Sequence, residues 1–257
     1  MTAGMCIFLY RRPEYASQVL DAVTVLHGLD RLGFIHVMMD AQIKENDKAG
    51  EVLRLAESFK GRICKSHPSL PVRLFPSHTR LGCNRSIVGG VQTAFCDADY
   101  VVVVEDDILL APDALLYFLW AEEEYRNRRD VVTVTSFCRL SPEDRSWETN
   151  KDSVYVKDFF SPWGWATWRD RWESVIYPKL ANVPSTSMPS WDCILWHNGV
   201  KMGLVFPHLS RSQNIGLHDG EHMKGYVEEF MATSHSPSWA GGLKDPPVIH
   251  KYVEKRL

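Results

Sequence analysis

Three consecutive acids, Glu105, Asp106 and Asp107, close the apolar run Tyr100-Val-Val-Val-Val. Adjacent carboxylates repel one another unless a cation or strong donors lie between them, and their hard oxygens suit Mg²⁺ or Mn²⁺. The competing use is helix capping, because Pro112 suits a first helical turn and Asp113 a helix N-terminus. Further on, Ser190-Trp191-Asp192-Cys-Ile-Leu-Trp196-His197 sets one carboxylate among large apolar groups. Burial there would raise its pKa toward a value suited to taking a proton from a hydroxyl, although an acid at a helix start reads the same way. Asn214-Ile-Gly216-Leu-His218-Asp219-Gly220-Glu221-His222 is a glycine-bearing polar loop, in which His218 and His222 are candidates to hold a metal or a diphosphate.

Aromatic residues form the other unusual cluster. Asp158-Phe-Phe-Ser-Pro-Trp163-Gly164-Trp165-Ala-Thr-Trp168-Arg-Asp-Arg-Trp172 packs four indoles into ten residues. Indole presents a flat apolar face beside a polar N–H, a surface suited to the C–H face of a sugar. Trp168 and Trp172, four apart, are expected on one buried helix stripe. Trp163 and Trp165, beside Pro162 and Gly164, are the expected surface residues.

The elements that must position these groups alternate. A strand at Met5–Tyr10 precedes a helix with apolar positions Tyr15, Val19, Leu20, Val23 and Leu26. Phe34–Met39 reads as a strand, Ile43–Phe59 as a helix, Val72–Phe75 as a strand, and the stretch from Leu81 leads into a helix ending at Phe95. The four valines suit a strand buried on both faces. Strand and helix in alternation predict a largely parallel α/β sheet wrapped by helices. Arg11 or Arg12 then follows the first strand, Asp40 ends the second and the acidic trio ends the central one, so all fall on one sheet edge. Carboxylates there accept from a ribose or base, and arginine pairs with a diphosphate. Beyond the trio, Ala114–Tyr125 is expected as an amphipathic helix with Glu122, Glu123 and Glu124 solvated. Val131–Thr135 and Gly203–Pro207 read as strands, and the polar stretch Ser136–Lys151 as a loop over the site.

Composition narrows the function. A chain of 257 residues with 45% hydrophobic and 24% charged residues can bury the core of one domain, with or without a second lobe. A net charge of -3 gives no electrostatic case for nucleic acid. No apolar run approaches the ~20 residues of a membrane span, and the first residues read as a core strand, not a signal peptide. Six scattered cysteines without a CxxC pair fit a cytoplasmic protein, or a luminal domain separated from its anchor. The tail from Ser234, with three prolines and the basic Lys251, Lys255 and Arg256, reads as loosely packed or as a peripheral contact with a membrane.

Taken together, Val101-Val-Val-Val-Glu105-Asp106-Asp107-Ile-Leu-Leu-Ala-Pro112-Asp113, Asp158-Phe-Phe-Ser-Pro-Trp-Gly164-Trp and Trp191-Asp192 resemble the N-acetylglucosaminyltransferase I type of GT-A glycosyltransferase and its smaller bacterial relatives. The Asn214-Ile-Gly216 loop resembles the bacterial relatives in particular. The likeness runs in order from about residue 5 to 225. It implies a Rossmann-like GT-A fold, with residues 1–107 as the nucleotide-sugar half, 108–233 as the acceptor-side lobe and 234–257 as a tail. It also implies an inverting transferase that moves a sugar from a nucleotide donor, UDP-linked by preference, to a glycan or glycoconjugate hydroxyl with the help of Mn²⁺ or Mg²⁺.

Carried over residue by residue, Asp107 of this DXD-type trio would ligate the metal, with His222 as a second candidate. Asp106 would contact ribose or donor sugar beside Glu105. Arg11 or Arg12, Asp40 and Arg85 would hold the nucleotide, with Trp163, Gly164 and Trp165 at the donor pocket, and Asp192 would be the general base. Asp192-Cys193 stands where the eukaryotic enzymes carry two acids, which leaves donor and acceptor open. Two other classes use the same features: a non-catalytic glycan-binding protein on this fold, and a metal-dependent phosphoesterase or sugar nucleotidyltransferase. The nucleotidyltransferase would need a glycine-rich phosphate loop where Arg11-Arg12-Pro13 stands. The glycosyltransferase reading requires that the trio line a cleft and not be spent on neighbouring arginines.

Overall fold

The computed structural model describes residues 1–40, 47–138, 151–158, 160–182, 190–197, 203–216 and 248–255. In chain order the elements are β1 (Ala3–Leu9), α1 (Pro13–Thr24), β2 (Phe34–Met39), α2 (Lys48–Ser66), β3 (Val72–Pro76), α3 (Cys83–Ala94), β4 (Tyr100–Glu105) and β5 (Ile108–Leu110). There follow α4 (Ala114–Tyr125), β6 (Val131–Thr135), β7 (Ser153–Asp158) and β8 (Trp165–Trp168). Next, α5 (Arg169–Arg171) runs through a π turn (Trp172–Ile176) into α6 (Tyr177–Leu180), and α7 (Trp191–His197), β9 (Gly203–Pro207), β10 (Ser212–Asn214) and β11 (Val253–Glu254) complete the series.

The large sheet has the order β11-β7-β9-β6-β8-β4-β1-β2-β3 and is mostly parallel. β1 lies parallel to both β2 and β4, and β2 to β3, as the alternating pattern requires. The departures are β8, which runs against both β4 and β6, and β7, which runs against β9 and takes β11 with it. Tryptophan and threonine make β8 a good strand, so Trp168 sits in a sheet and not on the helix stripe expected of it. It is buried, as expected.

Side-chain parity along the central strands decides what meets what. Met5, Ile7 and Leu9 of β1 and Tyr100, Val102 and Val104 of β4 point to a core shared with α1, α2 and α4. Cys6, Phe8, Val101 and Val103 point to the opposite core, shared with α3, Trp172 and α7. Alternation across a strand therefore sends Glu105 to the α3/α7 side and Asp106 to the α1 side.

Several expectations change. α4 is buried almost all round, and Glu122 lies within the protein, held by Arg126 at 2.8 and 2.9 Å. Glu123 and Glu124 are exposed as anticipated. The tail is anchored where it is described: the buried Tyr252 donates to Asp113 Oδ2 at 3.2 Å, and β11 pairs with β7. Asp113 stands at the N-cap of α4, yet its carboxylate serves the buried Arg211 at 3.3 Å, not the helix. None of the six cysteines forms a disulfide. No helix among the described residues is long and apolar enough to cross a membrane. Most of the Ser136–Lys151 loop, His218, His222 and residues 234–247 lie outside the described residues.

Candidate active site

β1, β2 and β4 end on the same edge, and each delivers a polar group there. β1 runs into Tyr10 and Arg12, and Pro13 at the first turn of α1 makes Arg12 its N-cap. The Tyr10 N–H donates to Asp106 Oδ2 at 3.2 Å, and the Arg12 guanidinium grips both Asp106 oxygens, its Nε at 3.3 Å. Arg12 Nη1 also reaches Asp107 Oδ2 at 3.0 Å. Burial works against the Arg12 charge, and Asp106 and Asp107 more than restore it. Of the two arginines, Arg12 therefore joins the trio, while Arg11 turns outward to Asp47 at 3.2 Å.

The Glu105 carboxylate has no hydrogen bond or ion pair among the described residues. Burial, then Asp107, Asp192 and Asp106, push its pKa far above the ordinary carboxylate range. Asp107 is raised as well, by burial, with Arg12 offsetting part of the rise. Three adjacent carboxylates, electrostatically coupled to Asp192, thus have one guanidinium in ion-pairing contact. Such a site is short of positive charge.

Asp192 is placed by a second device. Gly82, at φ 83°, opens α3, and the Leu81 and Gly82 N–H groups donate to the two oxygens of the buried Asp40 at 2.5 and 2.8 Å. Asn84, the second residue of α3, accepts the Trp191 N–H at 2.8 Å and so fixes the start of α7. The Cys83 thiol at the start of α3 has its pKa raised by lost solvation and after that by the charges of Glu105, Asp192, Asp106 and Asp40. Asp40 is expected on the nucleotide; in this structure both its oxygens hold the turn into α3. Arg85, one residue beyond Asn84, is exposed and makes no ion pair among the described residues.

The aromatic expectations need correction. Trp165 is completely buried in β8, stacked on Trp191 at 5.5 Å and edge-on to Phe160 at 5.4 Å, so it presents no face to solvent. Alternation in a strand covered on both faces explains this, and the neighbouring Pro162 and Gly164 do not prevent it. Gly164, at φ 73°, is a tight turn whose carbonyl accepts from Ser136 N at 2.8 Å and Oγ at 3.0 Å. A Cβ there would lie 2.5 Å from Ser136 Oγ. Trp163 is half-buried, edge-on to Phe137 at 4.7 Å.

Sequence reasoning missed β5 and its partner. After the trio the chain forms β5, which pairs antiparallel with β10 and lays residues 214–216 over Asp107. Ile215 N donates to the Asp107 carbonyl at 2.9 Å. A Cβ on Gly216 would stand 2.7 Å from Asp107 Oδ2 and 3.1 Å from Arg12 Nη1. Only the glycine in Asn214-Ile-Gly216 signalled so close an approach.

No three metal-ligating side chains converge among the described residues. The donor set still fits a hard divalent ion that brings most of its ligands with it, since such ions are commonly held by one or two carboxylates plus substrate phosphates. The bare, strongly raised Glu105 indicates the same deficit of positive charge.

A mostly parallel sheet with an acid cluster at the carboxyl ends of β1 and β4 defines a protein of the GT-A glycosyltransferase fold. The structure is similar to S. aureus TarS residues 1–349, with TM-score 0.52 and 11% identity over 80% of this chain and 60% of that one. It is also similar to the same protein in complex with UDP-GlcNAc, with TM-score 0.51 and 12% identity over 91% of this chain and 64% of that one. The chain thus spans about 60% of the length of these neighbours. No curated protein sequence matches it. The GNT-I family model matches residues 85–229, more than half of the chain, and the chain belongs to the GNT-I family.

Proposed function

We propose that the protein is an inverting glycosyltransferase that moves a sugar from a nucleotide-sugar donor to a hydroxyl of a glycan or glycoconjugate. What supports this reading is the GNT-I family match together with the electrostatic coupling of Glu105 to Asp107, Asp192 and Asp106, with the Asp192 carboxylate unspent on any hydrogen bond or ion pair among the described residues. A UDP donor is preferred, a choice supported by the similar TarS structures in complex with UDP and UDP-GlcNAc.

Asp192 takes the proton of the acceptor hydroxyl as its oxygen attacks the anomeric carbon. The bond from that carbon to the donor diphosphate breaks on the opposite face, so configuration inverts in one displacement. General-base help of this kind is worth about 10²–10⁴ in rate. Asp107 would hold a Mn²⁺ or Mg²⁺ ion, with His222 as a further candidate, and when bound the ion neutralises charge on the departing diphosphate. Arg12, partly exposed beside Asp107, is placed to exchange its carboxylates for donor phosphate oxygens. Asp40 shapes the pocket by holding the turn into α3.

A thermal-shift screen of nucleotide sugars with and without Mn²⁺ tests the donor side, because a ligand of the native state raises apparent stability with its affinity. Asp192→Asn should keep that shift and lose transfer; a variant with near wild-type turnover would remove Asp192 from the role of base. Asp107→Ala should weaken both. Glycan binding by calorimetry without any turnover of donor would favour the non-catalytic glycan-binding alternative.

A further inference from the structure

The β5–β10 pair has two ends. At one, Ile215 and Gly216 lie on Asp107, as described above. At the other, Arg211 and Asp113 form an ion pair in which both side chains are buried. Three residue pairs connect the ends: Ser212 with Leu110, Gln213 with Leu109 and Asn214 with Ile108. A two-stranded ladder is marginal by itself, and a polar strand specifies its register weakly, because no apolar side chain is lost to water when it slips. β10 is such a strand. A slip of one residue would turn its side chains to the opposite face and bring a neighbour of Gly216 to Asp107, where there is no room for a Cβ.

The buried end supplies the constraint. The Arg211 N–H donates to the Ser136 carbonyl at 2.7 Å, and the Arg211 carbonyl accepts from the Ala111 N–H at 2.8 Å. Its guanidinium donates to the Leu209 carbonyl, to the Lys151 carbonyl at 3.0 Å and, through Nε, to Asp113 Oδ2 at 3.3 Å. The Tyr252 hydroxyl donates to the same oxygen at 3.2 Å, and the guanidinium lies 5.1 Å from the centre of the Tyr252 ring. Asp113 Oδ1 has no hydrogen bond among the described residues, so the carboxylate depends on these two donors. Tyr252 is in turn fixed by Tyr117 and Trp120 of α4, each ring 5.1 Å away, and by the β11–β7 pairing that follows it. Fixing register is the best-attested use of a buried polar pair, and here the pair adjoins a strand that lacks an apolar anchor. We propose that Tyr252 is a positioning residue for the carboxylate site, acting through Asp113 and Arg211 to lock the register of β10 and hold Gly216 against Asp107. The effect on nucleotide binding rests on the transferase reading above, whereas the place of Gly216 does not.

The test compares the full chain as wild type, Tyr252→Phe and Tyr125→Phe. Tyr125 donates to Glu254 Oε2 at 2.8 Å, so its loss loosens β11 while sparing Asp113. The Gly216 amide resonance, assigned by its absence from Gly216→Ala, reports the register without nucleotide, and calorimetry of UDP with Mn²⁺ reports the consequence. In Tyr252→Phe the Gly216 resonance should shift or split, and UDP should bind about three- to tenfold more weakly, in proportion to the molecules out of register. Tyr125→Phe should leave both unchanged, although it lowers the melting temperature. Gly89→Ala, a methyl group added in open space on α3, supplies a more stable background if Tyr252→Phe alone fails to fold. An unmoved Gly216 resonance or an unchanged UDP affinity in Tyr252→Phe overturns the proposal, as do equal changes in Tyr125→Phe. Failure of the wild type to bind UDP sinks the transferase reading, and the Gly216 resonance alone then decides the lock.

Discussion

Arg12 Nη1 stands 3.0 Å from Asp107 Oδ2 where β1 and β4 end together, while the rest of the same guanidinium holds Asp106. One arginine thus serves a carboxylate cluster it cannot neutralise alone, since Glu105 and Asp192 have no ion pair among the described residues. Two of the trio's acids, Asp106 and Asp107, are engaged by Arg12, the arrangement that counts against a vacant metal site, and only the Glu105 carboxylate is unpaired among the described residues. Any cation bound by Asp107 must therefore share that carboxylate with Arg12 or displace it.

Arg12→Ala should uncover the competition. Mn²⁺ titrated into the nucleotide-free protein and followed by electron paramagnetic resonance should bind at least about tenfold more tightly than in the wild type. Stability without metal should fall by about 1–2 kcal/mol, less than for a fully buried pair because Arg12 is partly exposed, and should recover on adding Mn²⁺. Unchanged Mn²⁺ affinity would show that Arg12 does not contest the site.

Gly216→Ala adds one methyl group against Asp107 and Arg12, with 2.7 Å to Oδ2 and 3.1 Å to Nη1. The carboxylate must move, so nucleotide affinity should drop about tenfold with a stability loss near 1 kcal/mol. Gly89, in α3, has open space at its Cβ position, and Gly89→Ala should gain about 0.5–1 kcal/mol with no effect on nucleotide. Equal effects at both glycines would contradict the contact.

Glu105→Gln should raise the melting temperature at neutral pH. The folded state keeps a proton on Glu105 to a higher pH than the unfolded chain does, because burial and then Asp107, Asp192 and Asp106 oppose its charge. Folded protein therefore binds more protons above the ordinary glutamate pKa, and stability falls as pH rises. Denaturant midpoints from pH 5 to 8 should slope downward less in Glu105→Gln than in the wild type.

His36 supplies the opposite slope. Neither of the buried ring nitrogens has a hydrogen bond among the described residues, the ring stacks on Phe34 at 4.1 Å, and its pKa is lowered to about 4 by burial and Arg73, with Asp97 opposing. The unfolded chain takes up its proton near pH 6.5 and the folded chain only near 4. Stability from the neutral ring is complete above 6.5 and is lost as pH falls through that window, by up to about 3 kcal/mol. His36→Phe should flatten the acid limb of a pH–stability curve over that range; an identical limb would remove His36 as its source.

The elements of the first half of the chain were legible because each carries its own local signal: four valines for β4, Pro13 opening α1, and Gly82 before α3. The edge shared by Arg12, Asp40 and Glu105 followed from the strand–helix alternation. Trp165 was misjudged because its neighbours Pro162 and Gly164 suggest a surface turn, and nothing local reveals that Trp191, 26 residues later, stacks on it. Glu122 was misjudged for the same reason, since what packs on α4 is distant in sequence, as Tyr252 is on Trp120.

By itself the sequence determined which chemistry is present: hard carboxylates at a strand end, a lone acid between tryptophans, and an α/β order that puts strand termini on one edge. Those properties are local, set by side-chain type and by periods of two and 3.6 residues. Only the tertiary structure decided which groups meet. Strand parity turns Glu105 to α7 and Asp106 to α1, Asn84 fixes where α7 begins, and the β5–β10 pair brings Gly216 onto Asp107. Each of these contacts joins residues far apart in the chain, where packing and charge, not spacing, choose the partner.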